Sequence, residues 1–302
     1  MRVLICGGNG QLGLALASKY YSSGAEVARF DKSLPEVSIS FGSSFDTVRN
    51  TFFSGDISDM VCARDVFSSF RPDVVINCAA IVNADRCEVE KETAYKVNFL
   101  ANNNLLSLAK SNGSKFVFIS SYYIFDGSGR TYVESSIPNP LNYYGITKLL
   151  SEASTLQYDR GIVARMSKIF SLGYDKRNFI SRAFHSFQND GTVRAVVDQY
   201  NNPIDADTAA VSIASLVDSG FYGCCHIGGL DYVNNDEFAR LFASSFGLDS
   251  SRILPVPTID CKQDAPRPMN VELSIDLLLS MGVHIPRLEE TFSLMRKKVS
   301  GL

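Results

Sequence analysis

The stretch Val3-Leu4-Ile5-Cys6-Gly7-Gly8-Asn9-Gly10-Gln11-Leu12-Gly13 decides the fold of this chain. Its apolar start predicts a short buried strand, and the apolar residues that recur after it predict a helix. Three glycines at three-residue spacing lie between and within these elements. Gly7 permits a tight turn, Gly10 leaves room for a pyrophosphate beside the backbone, and Gly13 lets the helix pack closely on the strand. Strand, glycine turn and helix together predict a dinucleotide-binding turn.

The first turn of the predicted helix includes Gln11 and Leu12, and its backbone N–H groups have no acceptor within the helix. Such groups favour a bound phosphate. Because the spacing is G-x-x-G-x-x-G rather than G-x-G-x-x-G, a glycine-rich turn without a ligand is the alternative. Asp31 ends the next predicted strand, where a carboxylate binds the ribose hydroxyls of NAD. We therefore expect NADH to be preferred, with NADPH still usable because Lys32 can partly screen a phosphate.

Composition excludes several classes of protein. The chain has 302 residues and a net charge of -3, so no basic excess points to nucleic acid. No run approaches the roughly 18 apolar residues of a membrane span. The seven cysteines form no C-x-x-C pair and the histidines are far apart, so we expect reduced thiols and no metal site. Without the sections of a signal peptide, a cytoplasmic protein is expected.

Strand and helix patterns alternate as far as Met166, which predicts an α/β fold with a doubly wound parallel sheet of the Rossmann type. We predict a dinucleotide-binding domain over 1–166 and a smaller mixed α/β substrate lobe over 167–302, with segments of about 193–227 returning to the sheet. Three further predictions concern local structure: a loop over 33–50, one long helix over about 84–111, and proline-containing loops over 255–268.

The strongest chemical pattern joins Ser121, just past a predicted central strand, with Tyr144 and Lys148 at the start of a helix. Residues four apart lie on one helix face. An adjacent ammonium favours the phenolate and lowers the pKa of a tyrosine. Such a set can polarise a ketone and give it a proton while a nicotinamide delivers hydride. A Tyr-x-x-x-Lys pair also occurs by chance in many helices, but here it follows the glycine turn and a strand-end serine.

These motifs resemble the extended short-chain dehydrogenase/reductases, and more narrowly the dTDP-4-dehydrorhamnose reductase family. The resemblance is carried by the following segments: Gly7–Gly13, Asn77-x-Ala79-Ala80, Ile119–Gly127, Tyr144–Leu149, Asp198–Pro203 and Arg267-Pro268. It implies an oxidoreductase that reduces a nucleotide-linked 4-keto-6-deoxy sugar with NAD(P)H. A homodimer is a candidate state.

The resemblance also implies further site residues. Asp56 and Ile57 would contact the adenine, although Asp56 could instead cap a helix, and Ala79 and Ala80 would line the cofactor site. Asn98 would support the active site from a helix, or be an exposed polar residue. The residues expected at the substrate are these: Ser121, Tyr122, Asn178, Gln199 and Arg267. For Asn178 and Arg267, which would meet the nucleotide diphosphate, an ordinary surface role is the alternative.

This chain departs from the family pattern where substrate is expected to bind. Tyr122 stands where an acidic residue is usual, Arg165 is followed by Met166, and Asn270-Val271 replaces a usual serine after Arg267-Pro268. The sugar is therefore left open. Two other functions remain as alternatives: a nucleotide-sugar epimerase or dehydratase on the same scaffold, and a catalytically silent regulatory subunit of the same fold. Dehydration needs an acid at the place of Tyr122, and the intact Ser121, Tyr144 and Lys148 argue against silence.

Overall fold

A computed structural model of the chain describes residues 1–32, 51–173 and 178–300, so the loop predicted over 33–50 lies outside the described residues. The strands are β1 Arg2–Cys6, β2 Glu26–Asp31, β3 Thr51–Ser54, β4 Val74–Asn77, β5 Lys115–Ser121, β6 Thr131–Tyr132, β7 Gly161–Met166, β8 Ile169–Phe170, β9 Val193–Val196, β10 Tyr200–Asn201, β11 Ile204–Asp205, β12 Gly223–Ile227, β13 Val233–Asn234, β14 Ile253–Val256 and β15 Asn270–Leu273. The helices are α1 Gln11–Ser22, α2 Met60–Phe70, α3 Ala84–Val89, α4 Lys91–Tyr95, α5 Ala101–Asn112, α6 Tyr143–Leu156, α7 Phe179–Gln188, α8 Ala206–Asp218, α9 Asn235–Phe246, α10 Asp276–Ser280 and α11 Leu288–Ser300.

The centre of the fold is a seven-stranded sheet in the order β12-β7-β5-β4-β1-β2-β3. Every neighbouring pair in it is parallel. Helices α1 and α8 cover one face around an aliphatic core, and α2 and α5 cover the other. The predicted doubly wound α/β fold is thereby confirmed. Because all these strands run the same way, their carboxyl ends meet at one edge, where ligands bind in open α/β sheets.

The glycine turn fits its predicted geometry. Gly7 has a φ of 72°, which is favourable for glycine alone among the common residues. A Cβ on Gly13 would lie 2.4 Å from the carbonyl oxygen of Gly7, so α1 packs directly on the turn. A Cβ on Gly10 would meet nothing closer than 3.5 Å. The space beside Gly10 is therefore open for a ligand, whereas that beside Gly13 is filled by the protein's own backbone.

The single long helix expected over about 84–111 is wrong. The chain leaves helical geometry at Glu90, with φ -103° and ψ 55°, and then passes through a π-helical turn at Lys96–Leu100 before α5 begins. Turns of this kind are frequent at functional sites. Here the irregular path buries the Asn98 side chain, which tertiary hydrogen bonds hold in place. Local sequence periodicity does not carry that information.

The proline-containing loop expected over 255–268 is also wrong in part, because its first residues continue β14. This strand pairs with β9 in a two-stranded sheet, in which every strand is an edge and Pro255 is tolerated. Within 193–227, β12 joins the large sheet beside β7, while β9 does not. The division of the chain into domains at residue 166 stays a prediction.

Beyond β7, helices α7, α9 and α11 enclose an aromatic core that includes Phe170, Phe238, Phe242 and Phe292. A four-stranded sheet, β13-β10-β15-β6, lies beside it. Among the described residues, every helix is too short or too polar to cross a membrane. The three helices with their aromatic core and the four-stranded sheet form the predicted smaller mixed α/β lobe.

We predict that Gly13→Ala destabilises the protein by about 1–3 kcal/mol, because the added methyl group would overlap the backbone of the turn. Gly10→Ala is the matched control, and its free energy of unfolding should change by less than about 1 kcal/mol, since Gly10 has a φ of -74° that alanine adopts readily. Denaturant unfolding measures both. Equal stabilities for the two variants would contradict the assigned packing.

Candidate active site

A cleft of about 1090 Å³ opens at the carboxyl edge of the large sheet. Most of the residues predicted to bind cofactor or substrate line this one cleft: Gly7, Gly10, Gln11, Leu12, Gly13, Asp31, Ile57, Ala79, Ala80, Ser121, Tyr122, Tyr144, Lys148, Gln199 and Arg267. The roles assigned to individual residues stay predictions. The sequence alone does not show that these residues meet in one cleft.

Lys148 projects from α6 into the floor of the cleft, and its side chain is almost completely buried. Its ammonium donates a hydrogen bond of 2.9 Å to the carbonyl oxygen of Ile119 on β5. Burial lowers the pKa of Lys148 to about 8, because the charged form is poorly solvated there. The amine is thus fixed in position, with its proton held less tightly than that of an exposed lysine.

Tyr144 lies one helical turn before Lys148, and the Lys148 ammonium is 5.7 Å from the centre of the Tyr144 ring. Burial raises the pKa of Tyr144 above its ordinary value, while a hydrogen bond with Ser121 opposes that rise. The pKa of Tyr144 is therefore raised, and the expectation that Lys148 lowers it toward the working range is not met. The reason is that burial removes water from the charged phenolate, and this desolvation has the largest influence on the pKa of Tyr144.

Aromatic rings form a wall beside this pair. The Ser121 hydroxyl, at the end of β5, accepts a hydrogen bond from the N–H of Tyr123. The Tyr122 and Tyr123 rings are 4.7 Å apart, and the Tyr123 and Tyr144 rings are 5.5 Å apart, both edge to face. Burial raises the pKa of Tyr122 as well, so Tyr122 stays a neutral phenol.

Asn98 ties the active-site helix to the central sheet. Its side-chain amide accepts a hydrogen bond from the N–H of Ile81 and donates one to the carbonyl oxygen of the same residue. It also donates to the Thr147 hydroxyl on α6, at 3.2 Å. The Asn98 carbonyl oxygen accepts a hydrogen bond from the Ser151 hydroxyl on α6. Asn98 is therefore a buried residue that helps to position α6. The alternative of an exposed polar residue is wrong.

A buried ion pair below the cleft was not anticipated from the sequence. Glu152, one turn beyond Lys148 on α6, pairs with Arg165 on β7 at 2.9 Å. Glu152 also accepts a hydrogen bond from Ser120, the residue before Ser121. These contacts fix α6 against two central strands. The four-residue spacing of Tyr144, Lys148 and Glu152 was the available signal, because it places all three on one helix face.

On the cofactor side, the Asp31 carboxylate accepts a hydrogen bond from the N–H of Asn9 at 3.0 Å and stands at the end of β2. Lys32 pairs with Asp56 at 2.8 Å, so its charge is engaged rather than free. Asp56 also accepts from the N–H of Ser58. The helix cap that was the alternative role of Asp56 belongs to Asp59.

On the opposite side, Arg267 pairs with Asp85 at 2.7 Å and donates to the carbonyl oxygen of Ala265. Gln199 donates to Thr258 and Gln263 over the cleft. Asn178 caps α7 by accepting from Ser181, and it is absent from the described lining of the cleft. Its predicted contact with the substrate stays a prediction.

Parallel sheet, glycine turn and the Ser121–Tyr144–Lys148 arrangement define an extended short-chain dehydrogenase/reductase, as the sequence motifs predicted. Within this class the chain belongs to the RmlD substrate binding domain family, whose sequence model matches residues 1–300.

The similar proteins are of two kinds, an adenosyltransferase subunit and reductases. The methionine adenosyltransferase 2 subunit beta of Xenopus laevis is 28% identical over 93% of this chain and 83% of its own length. The dTDP-4-keto-6-deoxy-D-glucose reductase of Streptomyces niveus is 31% identical over 67% of this chain and 71% of its own. Among solved structures, dTDP-4-dehydrorhamnose reductase from Bacillus anthracis, in complex with NADP, is similar to this chain with a TM-score of 0.84 and 26% sequence identity. The match covers 97% of this chain and 98% of the Bacillus anthracis chain.

We predict that Tyr144→Phe lowers turnover about 10²- to 10⁴-fold, the usual contribution of a general acid or base, while nicotinamide cofactor binding survives. Lys148→Met should lower turnover and also weaken cofactor binding, because the ammonium is expected to hold the nicotinamide-side ribose. Steady-state kinetics and fluorescence titration of the cofactor measure these effects. Near-normal turnover of Tyr144→Phe would rule out Tyr144 as the general acid.

Proposed function

We propose that the protein reduces the 4-keto group of a nucleotide-linked 4-keto-6-deoxy sugar with NAD(P)H. The observation that carries this proposal is that Ser121, Tyr144 and Lys148 line the same cleft as the glycine turn. A cofactor on the turn and a ketone at the tyrosine would then be adjacent. The two reductases among the reported relatives support the same substrate class.

The residues of the turn fit a dinucleotide. The open space beside Gly10 admits a pyrophosphate, and the first N–H groups of α1, which have no acceptor within the helix, favour an anion there. Asp31 is suited to the adenosine ribose, and Ile57, Ala79 and Ala80 add lining on the same side. When bound, the reduced nicotinamide supplies a hydride to the carbonyl carbon.

The protein side chains then handle the proton. The Tyr144 hydroxyl donates its proton to the carbonyl oxygen, so that hydride and proton together convert ketone to alcohol. Ser121 donates a hydrogen bond to the same oxygen, which stabilises the negative charge that develops there. The Lys148 ammonium stabilises the phenolate left on Tyr144. Asn98 and Glu152 act through α6, which carries both catalytic side chains.

A regulatory subunit of the same fold is the competing function, favoured by the long match to the adenosyltransferase subunit. Retention of all three catalytic side chains in one cleft supports the enzyme instead. An epimerase or dehydratase has less support, because dehydration needs an acid where the neutral phenol of Tyr122 stands.

We predict that the protein oxidises NADH when a thymidine- or uridine-diphosphate 4-keto-6-deoxy sugar is added, with one alcohol formed for each NADH consumed. Absorbance of the reduced nicotinamide and mass spectrometry of the product follow the reaction. Tyr144→Phe is the matched control for contaminating reductases. Binding of NADH without any oxidation across the sugar panel would favour the regulatory subunit.

We further predict a preference for NADH, because a 2′-phosphate would meet the Asp31 carboxylate. Two like charges about 4 Å apart cost about 1 kcal/mol in water and about 4 kcal/mol near a protein surface, which corresponds to about 5- to 900-fold in kcat/KM. Lys32 offsets this less than the sequence indicated, since Asp56 engages it. NADPH should still be usable, because the Lys32 ammonium next to Asp31 can offset part of the repulsion.

Asp31→Ser should bring the kcat/KM values for NADH and NADPH closer together, because it removes the repulsion. Lys32→Gln is the control, and it should leave the ratio of the two values within about 3-fold, since an exposed and paired charge contributes little. Equal kcat/KM values for NADH and NADPH in the wild type would contradict the role of Asp31. A ratio of the two values that is the same in Asp31→Ser as in the wild type would also contradict it.

We also propose a cytoplasmic homodimer. All seven cysteines are free thiols, which supports a reducing compartment. Exposed apolar side chains on the π-helical turn and the adjoining α6 support self-association there: Leu100, Ile146 and Leu150.

A further inference from the structure

Among the described residues, five basic side chains line the cleft: Lys32, Arg86, Lys148, Lys168 and Arg267. Three of them pair with carboxylates. Lys32 pairs with Asp56, Arg86 with Glu90 and Arg267 with Asp85. Lys148 belongs to the catalytic pair. Lys168 alone has neither a carboxylate partner in the described part of the chain nor a place in the chemistry.

The Lys168 ammonium is nevertheless held in place. It donates a hydrogen bond to the side-chain oxygen of Asn235 and lies 4.8 Å from the centre of the Phe179 ring and 5.7 Å from that of Phe238. The Lys168 carbonyl accepts from the N–H of Ile204, which fixes the backbone. A neutral amide and aromatic faces position a cation but do not neutralise it, so the charge remains available to a ligand.

The side chain of Lys168 contacts the smaller lobe, although the next residue, Ile169, accepts a hydrogen bond from Gln11 of the glycine turn. Lys168 comes two residues after Met166, which is the register partner of Ser121 at the end of the neighbouring strand. Its partners Phe179 and Asn235 belong to α7 and α9, in the smaller lobe rather than the glycine turn. We therefore expect an anion bound by Lys168 to lie on the substrate side, near the strand ends that carry Ser121 and Met166.

The charge environment is consistent with an anion at this place. Burial, together with the positive charge of Arg182 on α7, lowers the pKa of Lys168 to about 7. The other groups that contact the ammonium, from α7 and α9, are uncharged. A bound anion would restore the proton on Lys168 and remove the cost of burying it.

We propose that Lys168 binds the diphosphate of the nucleotide-linked substrate, with Asn235 holding the ammonium in place. This inference rests on the proposed function and adds to it the group that recognises the phosphates. Arg267 and Asn178, from which this contact was expected, are engaged with Asp85 and with the start of α7.

The test is calorimetric titration of the whole protein with thymidine-diphosphate glucose and uridine-diphosphate glucose, which carry the diphosphate but no keto group. Lys168→Met should weaken binding of the preferred probe roughly 10- to 100-fold, as expected for loss of a charge-assisted hydrogen bond. Lys168→Arg should retain most of the affinity. Lys168→Gln, which also lacks the charge, should lose as much affinity for the probe as Lys168→Met. Agreement between the two variants excludes a packing defect that is particular to one of them.

Arg86→Gln is the matched control, because it removes a cation of the cleft that is already paired with Glu90. The affinity of this variant for the diphosphate probe should change less than about 3-fold. Binding of NADH should be unchanged in every Lys168 variant. Wild-type affinity for the diphosphate probe should fall as pH rises through the pKa of Lys168, since the bound state needs the proton, and Lys168→Met should lose this dependence.

Unchanged affinity of Lys168→Met and Lys168→Gln for the diphosphate probes would overturn the proposal, as would an equal loss of NADH binding, which would place Lys168 at the cofactor. A failure of the reductase function is distinguishable. Binding of the probes through Lys168 without reduction of any keto sugar would refute the activity and leave this site standing. Reduction with an unchanged KM in Lys168→Met would refute this site alone.

Discussion

The burial of the Lys148 ammonium is the constraint on which the rest of the site depends. A lysine in the interior is stable only where hydrogen bonds and packing define its position. The carbonyl of Ile119 supplies one hydrogen bond, and the Glu152–Arg165 pair fixes the helix from the next turn. Removing one partner of such a buried pair costs about 3–5 kcal/mol, so α6 has little freedom to move. Tyr144 inherits its position from this arrangement.

The same burial shifts the ionisation of both members of the catalytic pair. Desolvation raises the pKa of Tyr144 and lowers that of Lys148 to about 8, because burial disfavours both the phenolate and the ammonium. Both pKa values would also respond to a nicotinamide cofactor held beside Lys148, which would supply hydroxyl groups and, once oxidised, a positive charge. The chemistry of the pair therefore belongs to the complex and not to the protein alone.

The glycine turn, the parallel sheet and the catalytic motif were predictable from sequence, because each depends on local pattern: glycine spacing, apolar runs and Tyr-x-x-x-Lys. What failed depended on distant contacts. The break at Glu90 and the π-helical turn follow from the burial of Asn98 against Ile81 and Thr147. Pro255 lies in a strand because β9 is beside it. Lys168 has no motif, and only the fold reveals that its charge is unneutralised within the described residues.

The most direct test of this account is the ionisation of Tyr144, measured as the difference in ultraviolet absorbance between wild type and Tyr144→Phe during a pH titration. In the free protein, the pKa of Tyr144 should lie above the ordinary tyrosine value of about 10, because burial dominates. With NAD bound it should fall below that value, and the fall should disappear in Lys148→Met. A Tyr144 pKa that is the same with and without NAD would contradict the account.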